Sequence, residues 1–107
     1  MDIMDISVSN FKGVPNQFII LSEFGTMFQS YNSPIAQIDW INEKITIYPD
    51  YKYSATTSKY RNMFFKTRGM AELASTNGLE KCLKNGCWQD FKIIKSLLAP
   101  TDILYRG

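Results

Sequence analysis

Between residues 5 and 48 the apolar positions fall into short alternations and runs, separated by turn-forming residues. Asp5-Ile6-Ser7-Val8-Ser9 alternates polar with apolar, which predicts a short, half-buried strand. Lys12 to Asn16 holds Gly13 and Pro15 and reads as a turn. Phe18-Ile19-Ile20-Leu21 is the continuous run of a buried strand, although periodicity alone also permits a short helix. Thr26 to Tyr31 follows, then a turn at Asn32-Ser33-Pro34 and a further run, Ile35-Ala36-Gln37-Ile38. A corner at Asn42-Glu43 leads into Lys44 to Tyr48, where Ile45 and Ile47 share one face and Lys44, Thr46 and Tyr48 the other. The joining segments are too short for parallel crossovers, so the pattern predicts an antiparallel meander, closed by Pro49.

From Ser54 the period changes to that of a helix. Tyr53, Thr57, Tyr60 and Phe64 fall on one stripe, widened by Met63, with Ser54 as N-cap and Gly69 as stop. A second helix is predicted from Thr76 or Asn77, through Leu79 and Leu83, to Asn85-Gly86, with Glu80 and Lys84 spaced for an ion pair. In the tail, Trp88, Phe91, Ile94 and Leu98 fit a helix, whereas Phe91, Ile93, Lys95 and Leu97 alternate as in a strand; Pro100 closes either. A strand returning to the sheet is the favoured expectation. The predicted class is α+β: one domain over residues 1–107, a small antiparallel sheet with about two helices packed on one face.

Composition narrows the chemistry more than the fold. With 45% hydrophobic and 21% charged residues the chain is that of a globular domain, and aromatic content of 14% lets a small core bury much area. Histidine is absent, which removes the usual general base and the commonest metal ligand. Cys82 and Cys87 fit neither a structural zinc site nor the spacing of a redox pair, and read as a buried small residue and a residue following a helix cap. The N-terminal decapeptide carries Asp2 and Asp5 rather than a basic region and an apolar block, and no apolar stretch approaches a membrane span. The expected setting is therefore soluble and cytoplasmic, with no membrane partner and with reduced thiols.

Charge is unevenly distributed. Residues 1–50 carry six acidic and two basic side chains, a net of −4, while residues 51–107 carry ten basic and four acidic, a net of +6. Within the basic half, Lys59, Arg61, Lys66 and Arg68 are interleaved with Tyr60, Phe64 and Phe65. If the aromatic face is buried, those cations project outward and could follow a nucleic-acid backbone; an ordinary solvated helix surface has the same composition. The hydroxyls of Ser54, Thr56, Thr57 and Ser58 beside Lys59 suit helix capping, or anion binding at a helix start, but no glycine loop precedes them. Asp39, Glu43 and Asp50 lie near predicted turns, without the spacing of a metal site. Tyr31, Trp40, Tyr48 and Trp88 are the aromatic candidates for an interface.

Two strings, Gly25 to Asp39 (GTMFQSYNSPIAQID) and Tyr53 to Phe65 (YSATTSKYRNMFF), resemble a family of small domains encoded in phages, plasmids and other mobile elements of Gram-positive bacteria. The shared patterns are an FQSYxSxIA-like stretch at Phe28 to Ala36 and a YSxTTSKY-like helix start at Tyr53, with a looser match from Lys81 to Gly86. Residues Gly69 to Ser75 depart from the family's polar segment at that point, and about 60 residues are covered in all. The resemblance implies a genetic context and a fold; it implies no catalytic residues and no cofactor. Small size, the missing catalytic groups and that context together lead to an expectation of a non-enzymatic protein that binds and blocks a bacterial host protein. A Cas nuclease is the concrete target, as with anti-CRISPR proteins. The expected contact residues are Lys59, Arg61, Lys66, Arg68, Tyr31, Trp40 and Tyr48, in a monomer or homodimer. A nucleic-acid-binding accessory protein using the basic helix over residues 59–68 is the alternative, and a small metal-dependent enzyme a distant third.

Overall fold

The structure is a computed structural model that describes residues 6–23, 25–88 and 91–95. Five antiparallel strands come first: β1 (Ser7–Asn10), β2 (Gln17–Ser22), β3 (Gly25–Ser30), β4 (Ser33–Asp39) and β5 (Lys44–Ile47). Two helices follow, α1 (Ala55–Thr67) and α2 (Thr76–Asn85), and then β6 (Cys87–Trp88) and β7 (Phe91–Lys95). The seven strands form one sheet in the order β1-β2-β3-β4-β5-β7-β6, with β7 parallel to β5. The predicted α+β class and the meander are both present. The tail does return as a strand, but as a parallel one, because the two helices supply the long crossover that a parallel pair requires. Leu97, Leu98 and Pro100 lie outside the described residues.

Register explains which face is covered. Ile19, Phe28, Ala36 and Ile47 are successive partners across β2, β3, β4 and β5, and Ile38, Ile45 and Ile93 form a second row across β4, β5 and β7. Both rows belong to the main core with Phe64 and Phe65 of α1 and Leu79 and Cys82 of α2, so the helices lie on one face as expected. Phe28 stacks on Phe64 with ring centroids 5.7 Å apart. The opposite face carries a smaller buried cluster, Ile20, Met27 and Tyr48.

A bulge in β4 adjusts this pattern. Phe28 faces Ala36 but Gln29 faces Pro34, which leaves Ile35 as the extra residue. Ile35 and Ala36 can then both be fully buried in the main core, against the alternation of a regular strand. The turn before β4 is consequently tighter than predicted: Tyr31 and Asn32 alone form it, Tyr31 with φ of 57°, and Ser33 and Pro34 already belong to the strand. At the other end of β3, Gly25 has φ of 116°, and a Cβ there would fall 2.0 Å from the Ile38 carbonyl oxygen. Only glycine permits that approach of two strands.

Helix boundaries agree with the sequence to within a residue. Ser54 caps α1, its Oγ accepting from the Thr57 amide at 3.0 Å. At the other end, the Gly69 amide donates to the Lys66 carbonyl (3.1 Å) and the Met70 amide to the Phe65 carbonyl (3.0 Å). With Gly69 at φ of 76° this is a Schellman stop. The predicted stripe on α1 needs rotation, however. Its buried residues are Thr57, Arg61, Phe64 and Phe65; Tyr60 and Met63 border the core, and Tyr53 precedes the cap and is half exposed. The opening strand also differs from expectation, since all four residues of β1 are exposed.

Candidate functional site: the basic helix and the Trp40 turn

The two sequence strings that stand out turn out to touch each other. Ser30 of β3 and Thr57 of α1 share a hydrogen bond of 2.9 Å, both side chains fully buried. Ser54 Oγ also donates to Thr57 Oγ1 at 3.1 Å. With the Phe28–Phe64 stack, these contacts fasten the first turn and the middle of α1 to β3. The hydroxyl cluster is therefore a cap joined to a latch. Its central oxygen, Thr57 Oγ1, is engaged within the protein and closed to solvent, which takes Thr57 out of any anion site.

Arg61 is the largest correction to the basic-helix expectation. Its side chain is fully buried, not projecting. Nη1 donates to the Tyr51 carbonyl (2.6 Å), and Nη2 to Thr76 Oγ1 (2.6 Å) and Asn62 Oδ1 (2.8 Å). The guanidinium also lies 5.8 Å from the Tyr51 ring centroid, while its Nε has no hydrogen-bond partner. Burial pushes its pKa down, opposed by Tyr51 and Glu80. Arg61 thus joins the loop before α1, α1 itself and the start of α2. The spacing could have revealed this, because residue 61 lies four after Thr57 and three before Phe64 on the stripe that faces the sheet.

Arg68 is half-buried, its guanidinium 4.5 Å from the Phe64 ring centroid and its Nη1 donating to Thr67 Oγ1 at 2.9 Å. Burial lowers its pKa as well. Lys59, near the Tyr60 ring at 5.3 Å, and Lys66 are exposed. The run of four cations is accordingly two exposed lysines and two arginines held in packing contacts.

Beside Arg61, Glu80 does not pair with Lys84 along its own helix as the spacing suggested. Its Oε2 accepts from Lys52 Nζ and from the Tyr51 hydroxyl, each at 2.6 Å. The ammonium and the phenol hold the Glu80 carboxyl below its ordinary 4.5, and the same contact raises Lys52 above 10.5. Burial, then Glu80, raises Tyr51 above 10.0. The depressed Glu80 contributes stability that is complete above pH 4.5 and is lost as pH falls through its folded value. The raised Lys52 and Tyr51 contribute stability that is complete below about pH 10 and is lost as pH rises through theirs. A thermal melt series should therefore show Tm falling below pH 4.5, with a shallower fall in Glu80→Gln. An unchanged acid limb in that variant would remove the assignment.

The aromatic candidates separate. Tyr48 is buried, its hydroxyl donating to Gln37 Oε1 at 2.8 Å, so it is a core residue and not a contact residue. Tyr31 is 45% exposed at the β3–β4 turn, whereas Trp40 is 46% exposed at the β4–β5 turn, at the opposite end of the strands. They do not form one patch. Of Trp88 only the backbone, in β6, is described.

Trp40 is held in place. Its Nε1 donates to Thr26 Oγ1 at 3.2 Å, and its ring meets Phe91 edge-on at 5.8 Å. The turn beneath it is tied by Asp39, whose Oδ1 accepts from the Ile41 and Asn42 amides (3.1 and 3.0 Å) and whose Oδ2 accepts from Asn42 Nδ2 (2.8 Å). The Asn42 amide is the main reason the Asp39 carboxyl sits below its usual range. The turn presents Ile41 81% exposed beside Trp40. Leu21, 46% exposed, is the register partner of Thr26, the residue that accepts from the Trp40 indole. The exposed Glu23 and Glu43 flank this end. Leu21, expected in a buried run, is exposed at the strand's end, and Ile41 escaped the sequence reading; the available signal was an isoleucine at a turn tip, where a polar residue is the rule.

Among the described residues no group of three or more His, Cys, Asp or Glu side chains stands close enough to hold a metal ion. Cys82 is a buried thiol. No helix among those residues is long and apolar enough to cross a membrane. A family model described as a family of unknown function, DUF8033, matches residues 3–81. That span takes in both strings and ends within α2. No curated protein and no solved structure matches the chain.

Proposed function

This chain belongs to the DUF8033 family, and from that premise and the geometry above we propose that it is a non-enzymatic binding protein that docks on a bacterial host protein through its Leu21–Trp40–Ile41 end and blocks it. The observation that carries the reading is the exposed Trp40-Ile41 pair on a turn already fixed by Asp39 and Thr26. A large aromatic and an aliphatic side chain held rigidly in water lose little entropy when a partner covers them, which is the profile of an interface anchor. The exposed charges beside the patch are mixed, Glu23 and Glu43 with Lys44, so apolar area rather than charge would carry the contact with the target, a host defence nuclease. The mobile-element context in which similar strings occur supports the same target class. The basic-helix alternative is weakened, because Arg61 and Arg68 are engaged in packing.

The test is affinity capture from nuclease-treated bacterial lysate, followed by titration against the protein that is identified. Trp40→Ala combined with Ile41→Asp should weaken binding by roughly 30-fold or more, the scale of a lost anchor. Lys59→Glu with Lys66→Glu should leave it nearly unchanged. The reverse pattern, or recovery of nucleic acid alone from untreated lysate, would transfer the role to the helix.

A further inference from the structure

Strand β1 forms one border of the sheet, and its four residues, Ser-Val-Ser-Asn, are all exposed. It carries none of the devices with which edge strands discourage pairing: no lysine, no proline, and no bulge against β2. The other border, β6, is only two residues long. On the face away from the helices, register aligns Met27, Ile20 and Val8 in one row across β3, β2 and β1. Met27 is 1% and Ile20 3% exposed, whereas Val8 is 58% exposed. The apolar row thus runs to the border of the sheet and stops at an uncovered valine.

We propose that a second copy of this chain pairs with β1, antiparallel and about a two-fold axis normal to the sheet, so that the two sheets become one. Such an axis keeps every side chain on its own face, so only residues of like alternation can stand opposite each other. The register that covers the valine sets Val8 against the partner's Val8 and Ser7 against the partner's Ser9. The apolar row then continues through the axis from Met27 and Ile20 into the same residues of the second copy. Every facing position is uncharged, so self-pairing brings no like charges together. The paired edge is about 14 Å long at the usual strand rise, well short of a standard interface, so the dimer is weak and reversible. The inference is independent of the Trp40 docking surface, because it concerns a different strand and a different partner.

Sedimentation equilibrium of the full chain over a wide concentration range tests it, with Val8→Glu and Val8→Lys as separate variants and circular dichroism to verify their fold. The wild type should pass from monomer to dimer as concentration rises. Each variant should stay monomeric, because like charges meet on the axis, and an equimolar mixture of the two should dimerise again. A wild type that is monomeric throughout, a folded Val8→Glu variant that dimerises like the wild type, or a mixture that remains monomeric would each overturn the pairing.

Discussion

Phe64→Ala is expected to lower the free energy of unfolding by about 3–5 kcal/mol, measured by urea titration. The ring is fully buried, stacked on Phe28 at 5.7 Å and edge-on to Phe65 at 5.2 Å. It stands between α1 and the middle of the sheet, so neither layer can move alone to fill the space. Loss of the side chain removes its transfer free energy and leaves a cavity, and the two costs add. Arg68 would also lose the aromatic face on which its guanidinium rests. For a domain whose total stability is on the order of 5–15 kcal/mol, this is a large fraction. Tyr60→Ala, at the border of the core, should cost less. A loss below about 1 kcal/mol in Phe64→Ala would mean that the helix does not pack on β3 in this way.

Charge reversal along the basic run is expected to divide sharply. Arg61→Glu should abolish folding or destabilise by more than about 4 kcal/mol, while Lys66→Glu should change stability by no more than about 0.5 kcal/mol. The guanidinium satisfies the Tyr51 carbonyl and Thr76 Oγ1 from inside the protein. A carboxylate in its place is shorter, accepts where donors are needed, and carries its charge without solvent. It would also stand near Glu80, whose field now opposes the downward shift of Arg61. Far-ultraviolet circular dichroism and thermal melts of both variants decide the matter. A folded, stable Arg61→Glu protein would return Arg61 to the surface, and with it the continuous basic face.

These two outcomes also indicate where the sequence is legible. Alternation at Ile45 and Ile47, the Ser54 cap and the glycine stop each depend on a few neighbouring residues, and each is found where the pattern put it. The buried stripe of α1 is rotated from the predicted one, because the polar Arg61 is inside and Tyr53 is outside it. Burial there is decided by which carbonyls and hydroxyls lie within reach, and those belong to residues 51 and 76. The Trp40 site shows the same limit. Trp40 itself was visible as an aromatic candidate, but its fixation comes from Thr26 and Phe91, on strands distant in sequence. Ile35 illustrates a third limit, since two adjacent apolar residues do not say that a bulge will turn both of them to one face.

The position of β7, between β5 and the border strand β6, has a consequence for the order in which the molecule is made. Strands β1 to β5 close over short connections, whereas β5 must await residues 91–95 before its outer side is paired. At common synthesis rates the interval between emergence of the two is about 2–9 s, long compared with the microseconds in which a hairpin closes. During that time a nascent meander presents Lys44–Ile47 as a temporary border, with Ile45 and Ile47 uncovered by β7 and Lys44 as that strand's single charge. Arrival of β7 ends this exposure by ordinary loop closure over more than forty residues, a contact of high sequence separation of the kind that slows folding. The vulnerable interval of this domain therefore falls between β5 and β7, after most of its secondary structure can already exist.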